Sequence, residues 1–290
     1  MHYEGDIYRP PSEAYSLIIQ ATVGCTHNGC TFCSMYKADT FKIKPFDIVL
    51  ADLNEARSFY KHVERIFLAD GDALCMSTDE LLRLTEAVRQ IFPECTRVGI
   101  YGRAKHVLGK SESELKSLRD MGLGIIYIGA ESGSEEVLHR INKGDTAQQM
   151  IDAVRKAESE GIQMSVTFIS GLGGKELMRE HAVKTGEMIS AMGASYVGFL
   201  TLLVEPAAPL YADIQSGAFR QLTPLEVLEE QGIVLEHTSC TSETVFRSNH
   251  ASNWLELKGT LPKDKERMLK QIDAAQKNAG ALRNENQRRL

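Results

Sequence analysis

Six short apolar runs recur along this chain: Ser16–Val23, Arg65–Ala69, Arg97–Tyr101, Leu123–Ile128, Gln163–Ile169 and Ser195–Leu203. Each reads as a buried strand. Between them, Phe46–Tyr60, Thr78–Phe92, Ser111–Met121, Ala147–Glu160 and Glu176–Met192 carry apolar residues at helical spacing. The clearest is Thr78–Phe92, where Leu81, Leu84, Val88 and Ile91 share a face and Ser77 with Glu80 makes a capping box. Strands that alternate with helices at intervals of roughly 30 to 50 residues build a parallel sheet through right-handed crossovers. The chain is therefore expected to be α/β, either an open doubly wound sheet or a βα barrel, with no sequence repeat between its units.

In a βα barrel the functional groups sit on loops after the carboxyl ends of the strands. Those ends are polar or glycine-rich here: a cysteine loop after the first strand, Asp70-Gly71-Asp72 after the second and Tyr101-Gly102-Arg103 after the third. Gly129-Ala130-Glu131-Ser132-Gly133-Ser134, Ser170-Gly171-Leu172-Gly173-Gly174 and Val204-Glu205-Pro206 follow the fourth, fifth and sixth. Any one of them could be an ordinary turn, because Gly, Asp and Ser are common there. Carboxylates, an arginine and cysteines gathered at one end make a candidate site.

The cysteine loop holds Cys25, Cys30 and Cys33, spaced four and then two residues apart, with Gly24 and Gly29 before the first two. Tight backbone turns at the glycines let three sulfurs converge on one small object. Thiolates suit zinc and iron–sulfur alike. A structural zinc site needs four ligands, usually as two separated pairs, and no second pair follows; His27 lies inside the loop, where reaching the same metal is cramped. A [4Fe–4S] cluster on three thiolates leaves one iron open for another molecule. Cys75, Cys95 and Cys240 are scattered and read as small buried hydrophobes.

This loop, with aromatic Phe32 before its last cysteine, resembles that of the radical S-adenosylmethionine (radical SAM) superfamily, with one more residue in the first gap than the usual spacing. The resemblance runs over residues 16 to 204 in matching order and is nearest the branch of oxygen-independent coproporphyrinogen oxidases, Elp3-like and methylthiotransferase-like cores. It implies a partial (β/α)6 barrel, a [4Fe–4S] cluster on Cys25, Cys30 and Cys33, and SAM chelated at the open iron. Gly71 and Asp72 stand where the family holds the SAM amino group, with an aspartate where many members have glutamate. Glu131 and Ser132 stand where it contacts the ribose, and a carboxylate can accept two hydrogen bonds from a diol. Arg155, ahead of Lys143, resembles the basic side chain that pairs with the methionyl carboxylate, Ile169–Gly173 resembles the segment that backs the adenine, and Phe32 is expected among the SAM contacts. The same resemblance implies an oxygen-sensitive enzyme, an external electron donor such as flavodoxin or ferredoxin, and a small organic substrate.

A net charge of −6 and a pI near 5.8 argue against broad binding to nucleic acid or anionic membranes. No run of about 20 apolar residues is present, and the amino terminus lacks a signal-peptide layout, so a cytoplasmic protein is expected. Residues 1–205 read as the core and 206–290 as an extension, with a helix at Thr223–His237, a polar segment at Thr238–Asn253, a terminal helix from Lys263 and a frayed end over residues 284–290. Within the extension, Val245–Trp254 is dense in side-chain donors. Either it contributes His250 and Arg247 to a substrate pocket, or it straps the barrel closed. RNA or protein modification, or a non-enzymatic zinc or iron–sulfur module, are the alternatives to a small-molecule enzyme.

Overall fold

A computed structural model of the chain describes residues 1–278, 280 and 282–288. The six expected strands and the helices between them are present, and the chain divides into two compact units.

The first unit comprises residues 1–28, 35–128 and 156–164. Its strands are β1 (Leu17–Gln20), β2 (Thr22–Val23), β3 (Lys42–Ile43), β4 (Arg65–Ala69), β5 (Arg97–Tyr101) and the larger part of β6 (Leu123–Glu131). Strands β1, β4, β5 and β6 lie side by side and parallel, with Leu17 opposite Ile66, Arg65 opposite Arg97 and Ile100 opposite Ile126. Ile19, Ile66, Phe67, Leu68 and Ile100 are wholly buried, as near-continuous apolar strands must be when both faces of a parallel sheet are covered. Four helices join them: α1 (Phe46–Phe59), α2 (Thr78–Ile91), α3 (Ala104–Leu108) and α4 (Glu112–Asp120). The Ser77 capping box opens α2 as expected, and an equivalent box at Ser111 opens α4. The first predicted strand is broken after Gln20. Thr22 and Val23 turn away to pair antiparallel with Ile43 and Lys42, so that β2 and β3 bracket the cysteine segment in the chain.

The second unit comprises residues 29–34, 129–155 and 165–290. It contains most of β7 (Gln163–Ser170), β8 (Tyr196–Thr201), β9 (Thr244–Ser248) and β10 (Leu257–Leu261). Its helices are α5 (Glu135–Arg140), α6 (Ala147–Ser159), α7 (Gly174–Met192), α8 (Leu210–Ser216), α9 (Pro224–Glu236) and α10 (Lys265–Lys277). β8 is parallel to β7 and to β9, and β10 returns antiparallel to β9. The Phe168 and Phe199 rings stack at 5.5 Å, and the Phe246 ring lies tilted against Phe199 at 5.4 Å, across β7, β8 and β9. Residues 206–290 thus share one unit with β7 and β8.

Two expectations are corrected here. Thr238–Asn253 is not merely a polar segment: Thr244, Phe246 and Ser248 alternate inward as a strand that extends the sheet beside β8. One apolar residue among two hydroxyls gives too weak a period-2 signal to read as a buried strand. The chain end is not frayed over 284–288 either. Glu285–Gln287 form a turn of 3-10 helix, the Arg288 guanidinium lies 3.9 Å over the Trp254 ring, and Arg288 Nε donates to the Ser252 carbonyl. Arg289 and Leu290 lie outside the described residues.

Candidate active site

The first unit supplies the end of β4 and the residues packed on it. The Ala69–Asp70 peptide is cis. Asp70 accepts from Gln20 Nε2 at 2.7 Å and from the Tyr36 hydroxyl at 3.4 Å, and burial pushes its carboxyl up to about 6 despite these donors. Gly71 lies flat against the start of the cysteine loop. A Cβ there would stand 2.8 Å from the Tyr36 ring, 3.1 Å from Cys25 Cβ and 3.2 Å from the Gly24 carbonyl, so only glycine lets the two backbones approach.

Asp72 is completely buried and committed within this unit. It accepts from the hydroxyl of Thr26, the residue after Cys25, and lies 2.8 Å from His106 Nδ1. The carboxylate thus acts from behind, fixing the backbone beside Cys25. His106 rises from α3 with its side chain 23% exposed. Sequence reasoning passed over it, since five helical residues show no period and a lone histidine carries no signal. Tyr127 belongs to packing: its hydroxyl donates to buried Glu13, which also pairs with Arg97.

The second unit supplies Cys30, Cys33 and the ends of β6 and β7. The 29–34 segment is held by its backbone. Thr31 N donates to the Ile141 carbonyl at 2.9 Å, Leu210 N donates to the Thr31 carbonyl at 2.8 Å, and Asn142 Nδ2 donates to the Gly29 carbonyl at 3.0 Å. Phe32 is half-buried against Val137, Ile141, Leu172 and Leu202, which pins the residue before Cys33.

Glu131 ends β6 with φ +66°, a left-handed conformation that a β-branched residue would resist. Its carboxylate folds back over Gly129 and pairs with Lys143 Nζ at 2.9 Å, both side chains about nine-tenths buried. Burial opposes the Lys143 ammonium, but Glu131 and the Cys30 sulfur outweigh it and raise its pKa above the usual lysine value. The following residues are clamped to α7. Ser132 Oγ lies 2.7 Å from His181 Nδ1, Gly133 N donates to Thr185 Oγ1 at 3.0 Å, and Ser134 Oγ donates to Glu180 at 2.6 Å. Ser132 is wholly buried, so its side chain anchors this loop from within.

Three further residues named from sequence belong to the second unit and have polar partners there. Arg155 projects from the exposed face of α6 and donates to the Ala191 carbonyl at the end of α7, tying two helices together. Arg247 is on the exposed side of β9 and donates to the Gly259 carbonyl on β10 at 3.0 Å. His250 is half-buried, with Nδ1 2.9 Å from Ser252 Oγ, and burial lowers its pKa. Its turn is bonded to β8: Thr201 N donates to Ser252 Oγ, and buried Asn253 donates to the Phe199 carbonyl at 2.7 Å.

None of the six cysteines is in a disulfide. Burial raises the thiols of Cys75, to about 12, and of Cys95 and Cys240, leaving them poor ligands. Among the described residues no three His, Cys, Asp or Glu side chains are already gathered as a metal ion would require. The donor chemistry nevertheless fits an iron–sulfur cluster. The loop offers three soft sulfurs and no second Cys pair, a glycine cradle stands at Cys25, and a cation at Cys30 offsets thiolate charge. No helix of the described residues is long and apolar enough to cross a membrane.

The sequence profile of the Radical SAM superfamily matches residues 19–185, more than half of the chain. A protein of Pyrococcus horikoshii named as an uncharacterized methyltransferase is 26% identical over 199 residues, covering 67% of this chain and 41% of its own length. The radical SAM methyltransferase TsrM from Kitasatospora setae superposes with a TM-score of 0.57 at 18% identity, over 71% of this chain and 39% of TsrM. Elp3 of the archaeon Methanocaldococcus infernus superposes with a TM-score of 0.52 at 14% identity, over 92% of this chain and 64% of Elp3. The chain spans between 23% and 41% of the length of the curated relatives it matches. The fold is the α/β partial barrel of solved radical SAM enzymes, and the chain belongs to the radical SAM superfamily, whose enzymes use a [4Fe–4S] cluster and SAM.

Proposed function

We propose that this enzyme reductively cleaves SAM and uses the product radical to take a hydrogen atom from a small organic substrate. The observation that carries the reading is the position of Gly71, a bare backbone pressed on Cys25 at the end of a parallel strand. Held by the loop's three cysteines, a reduced cluster would supply one electron to the sulfonium of bound SAM, and breaking the C5′–S bond would give methionine and a 5′-deoxyadenosyl radical that would take the substrate's hydrogen atom to become 5′-deoxyadenosine.

The chain's own residues hold and orient. Cys25, Cys30 and Cys33 ligate the cluster, and the backbone at Gly71 receives the amino group. Asp72 supports that backbone through Thr26 and His106. Glu131 offers its carboxylate to the ribose diol, and Lys143, the buried cation beside it, replaces Arg155 as the partner for the methionyl carboxylate. Phe32 shields the last cysteine with an apolar wall, which excludes water from a reactive site. An external one-electron donor such as flavodoxin or ferredoxin, and a cytoplasmic setting, accompany this reading. His250 and Arg247 take structural parts in this reading, since His250 Nδ1 lies against Ser252 Oγ of its own turn and Arg247 Nη1 donates to the Gly259 carbonyl on β10.

Two of the similar proteins are named as methyltransferases, which makes methyl transfer the second reading. The products separate the two. Anaerobically reconstituted protein given dithionite and SAM is expected to release 5′-deoxyadenosine and methionine in equal amounts. Release of S-adenosylhomocysteine instead assigns methyl transfer, and release of neither compound removes both readings.

A further inference from the structure

The loops after β6 and β7, read above as holding the ribose and the adenine, are joined by a chain of side chains that the proposed chemistry does not use. Ser132 Oγ, on the β6 loop, lies 2.7 Å from His181 Nδ1 of α7. The other ring nitrogen, Nε2, points toward Glu230 of α9, 3.7 Å from its Oε1. That same oxygen accepts from the backbone N–H of Gly171, on the β7 loop, at 2.8 Å. Gln231 Nε2 adds contacts to Ser170 Oγ at 3.2 Å and to Ser248 Oγ at 3.3 Å. His181 and Glu230 have fully buried side chains; His181 Nε2, Glu230 Oε2 and Gln231 Oε1 make no well-formed hydrogen bond among the described residues, and the Ile169 backbone and the Ser170 side chain, both at the end of β7, stand as the polar neighbours of His181 and Glu230.

A buried histidine and glutamate with poorly satisfied polar atoms cost stability, and apolar residues of similar size would fill the space at lower cost. Helix packing therefore does not account for them. What they do join is two loops. We propose that His181 and Glu230 are positioning residues that couple the loop after β6 to the loop after β7 and so set the affinity of this protein for SAM. The proposal rests on the reading that these loops hold SAM. His181 lies within the stretch that matches the family profile and Glu230 beyond it.

The coupling has a direction in pH. Burial pushes the Glu230 carboxyl up to about 8 and the His181 imidazole down to about 4, so at neutral pH the pair is uncharged. Few other titratable groups face it. Glu180 is tied to Ser134, Lys175 pairs with Glu226 at 2.8 Å at the start of α9, and His237 Nδ1 lies 2.9 Å from the Ile233 carbonyl, while Ser170, Thr185, Gln231 and Ser248 do not titrate. Ionising Glu230 places a carboxylate where no cation neutralises it. The coupling is then lost, and both loops loosen together.

The test is calorimetric titration of SAM into the anaerobically reconstituted full chain at pH 7 and pH 9, for wild type, Glu230→Gln and His181→Phe. The wild-type Kd is expected to rise about tenfold between the two pH values. Glu230→Gln, neutral at both, is expected to stay within twofold of the wild-type value at pH 7, and His181→Phe to be weakened at both. Parallel pH curves for wild type and Glu230→Gln overturn the coupling while leaving SAM binding intact. A wild type that takes up no SAM at pH 7 overturns the reading of the site itself. Amide exchange of the wild-type apoprotein, corrected for intrinsic rates, gives a second readout independent of any variant. Residues 131–134 and 170–173 are expected to lose protection together as pH passes 8, and loss in one segment alone contradicts the proposal.

Discussion

The contact between Gly71 and Cys25 makes the sharpest demand on a single side-chain position. In Gly71→Ala the new methyl would lie 2.8 Å from the Tyr36 ring and 3.1 Å from Cys25 Cβ, where carbon atoms settle at about 3.5 to 4.0 Å. The ring cannot simply withdraw: Tyr36 is 6% exposed and its hydroxyl is bonded to Asp70. The strain must then pass to the backbone around Cys25. Overpacking of this kind costs about 1 to 3 kcal/mol, which for a chain of this size lowers the Tm by roughly 2 to 8 °C. The larger effect is expected on the cluster, because a ligand carried away from its partners by several tenths of an ångström no longer closes the site. The assay pairs thermal unfolding of the apoprotein with iron and sulfide content after anaerobic reconstitution. Gly232→Ala is the control, its nearest new contact being at 3.8 Å inside α9. A Gly71→Ala protein with wild-type Tm and full iron would refute the cradle.

Other consequences follow from the same geometry. Gly133→Ala would set a methyl 2.1 Å from the Lys184 carbonyl oxygen, a backbone atom of α7 that cannot step aside; a loss of about 3 kcal/mol is expected in urea unfolding, and an unchanged midpoint would contradict the clamp. Arg155→Ala is expected to bind SAM within twofold of wild type while Lys143→Met weakens it at least tenfold, and the reverse order in titration calorimetry would return the carboxylate contact to Arg155. The pH dependence of apoprotein stability has two signs. Glu230, raised to about 8, loses its contribution as pH climbs from the ordinary carboxylate range through 8, by at most about 5 kcal/mol. His181, lowered to about 4, costs stability as pH falls from the ordinary imidazole range through 4. Maximum stability is therefore expected between roughly pH 4.5 and 6.5, and chemical unfolding of Glu230→Gln should lack the alkaline decline that wild type shows.

How much of this could be read from the chain alone differs by the kind of signal. The parallel strands were legible because buried strands are nearly continuous in apolar residues, and α2 because its capping box and apolar stripe agree. β9 was hidden because Thr244 and Ser248 face inward as hydroxyls. The turn at Ala21 that sends β2 to pair with β3 leaves no mark in an unbroken apolar run. At the site, residue types mark the polar strand ends, but not the partners each side chain takes there. Asp72 and Ser132 are spent on His106 and His181, partners distant in sequence that only folding reveals. Arg155 is exposed on α6 and bonded to the Ala191 carbonyl, a placement that motif spacing does not resolve.

The most direct test of the account is electron paramagnetic resonance of the dithionite-reduced, reconstituted protein with and without SAM. The account predicts a signal from one [4Fe–4S] cluster per chain whose g-values move when SAM is added, and no such signal from the Cys25→Ala, Cys30→Ala, Cys33→Ala triple variant. A cluster signal that ignores SAM, or one that survives removal of the three cysteines, would contradict it.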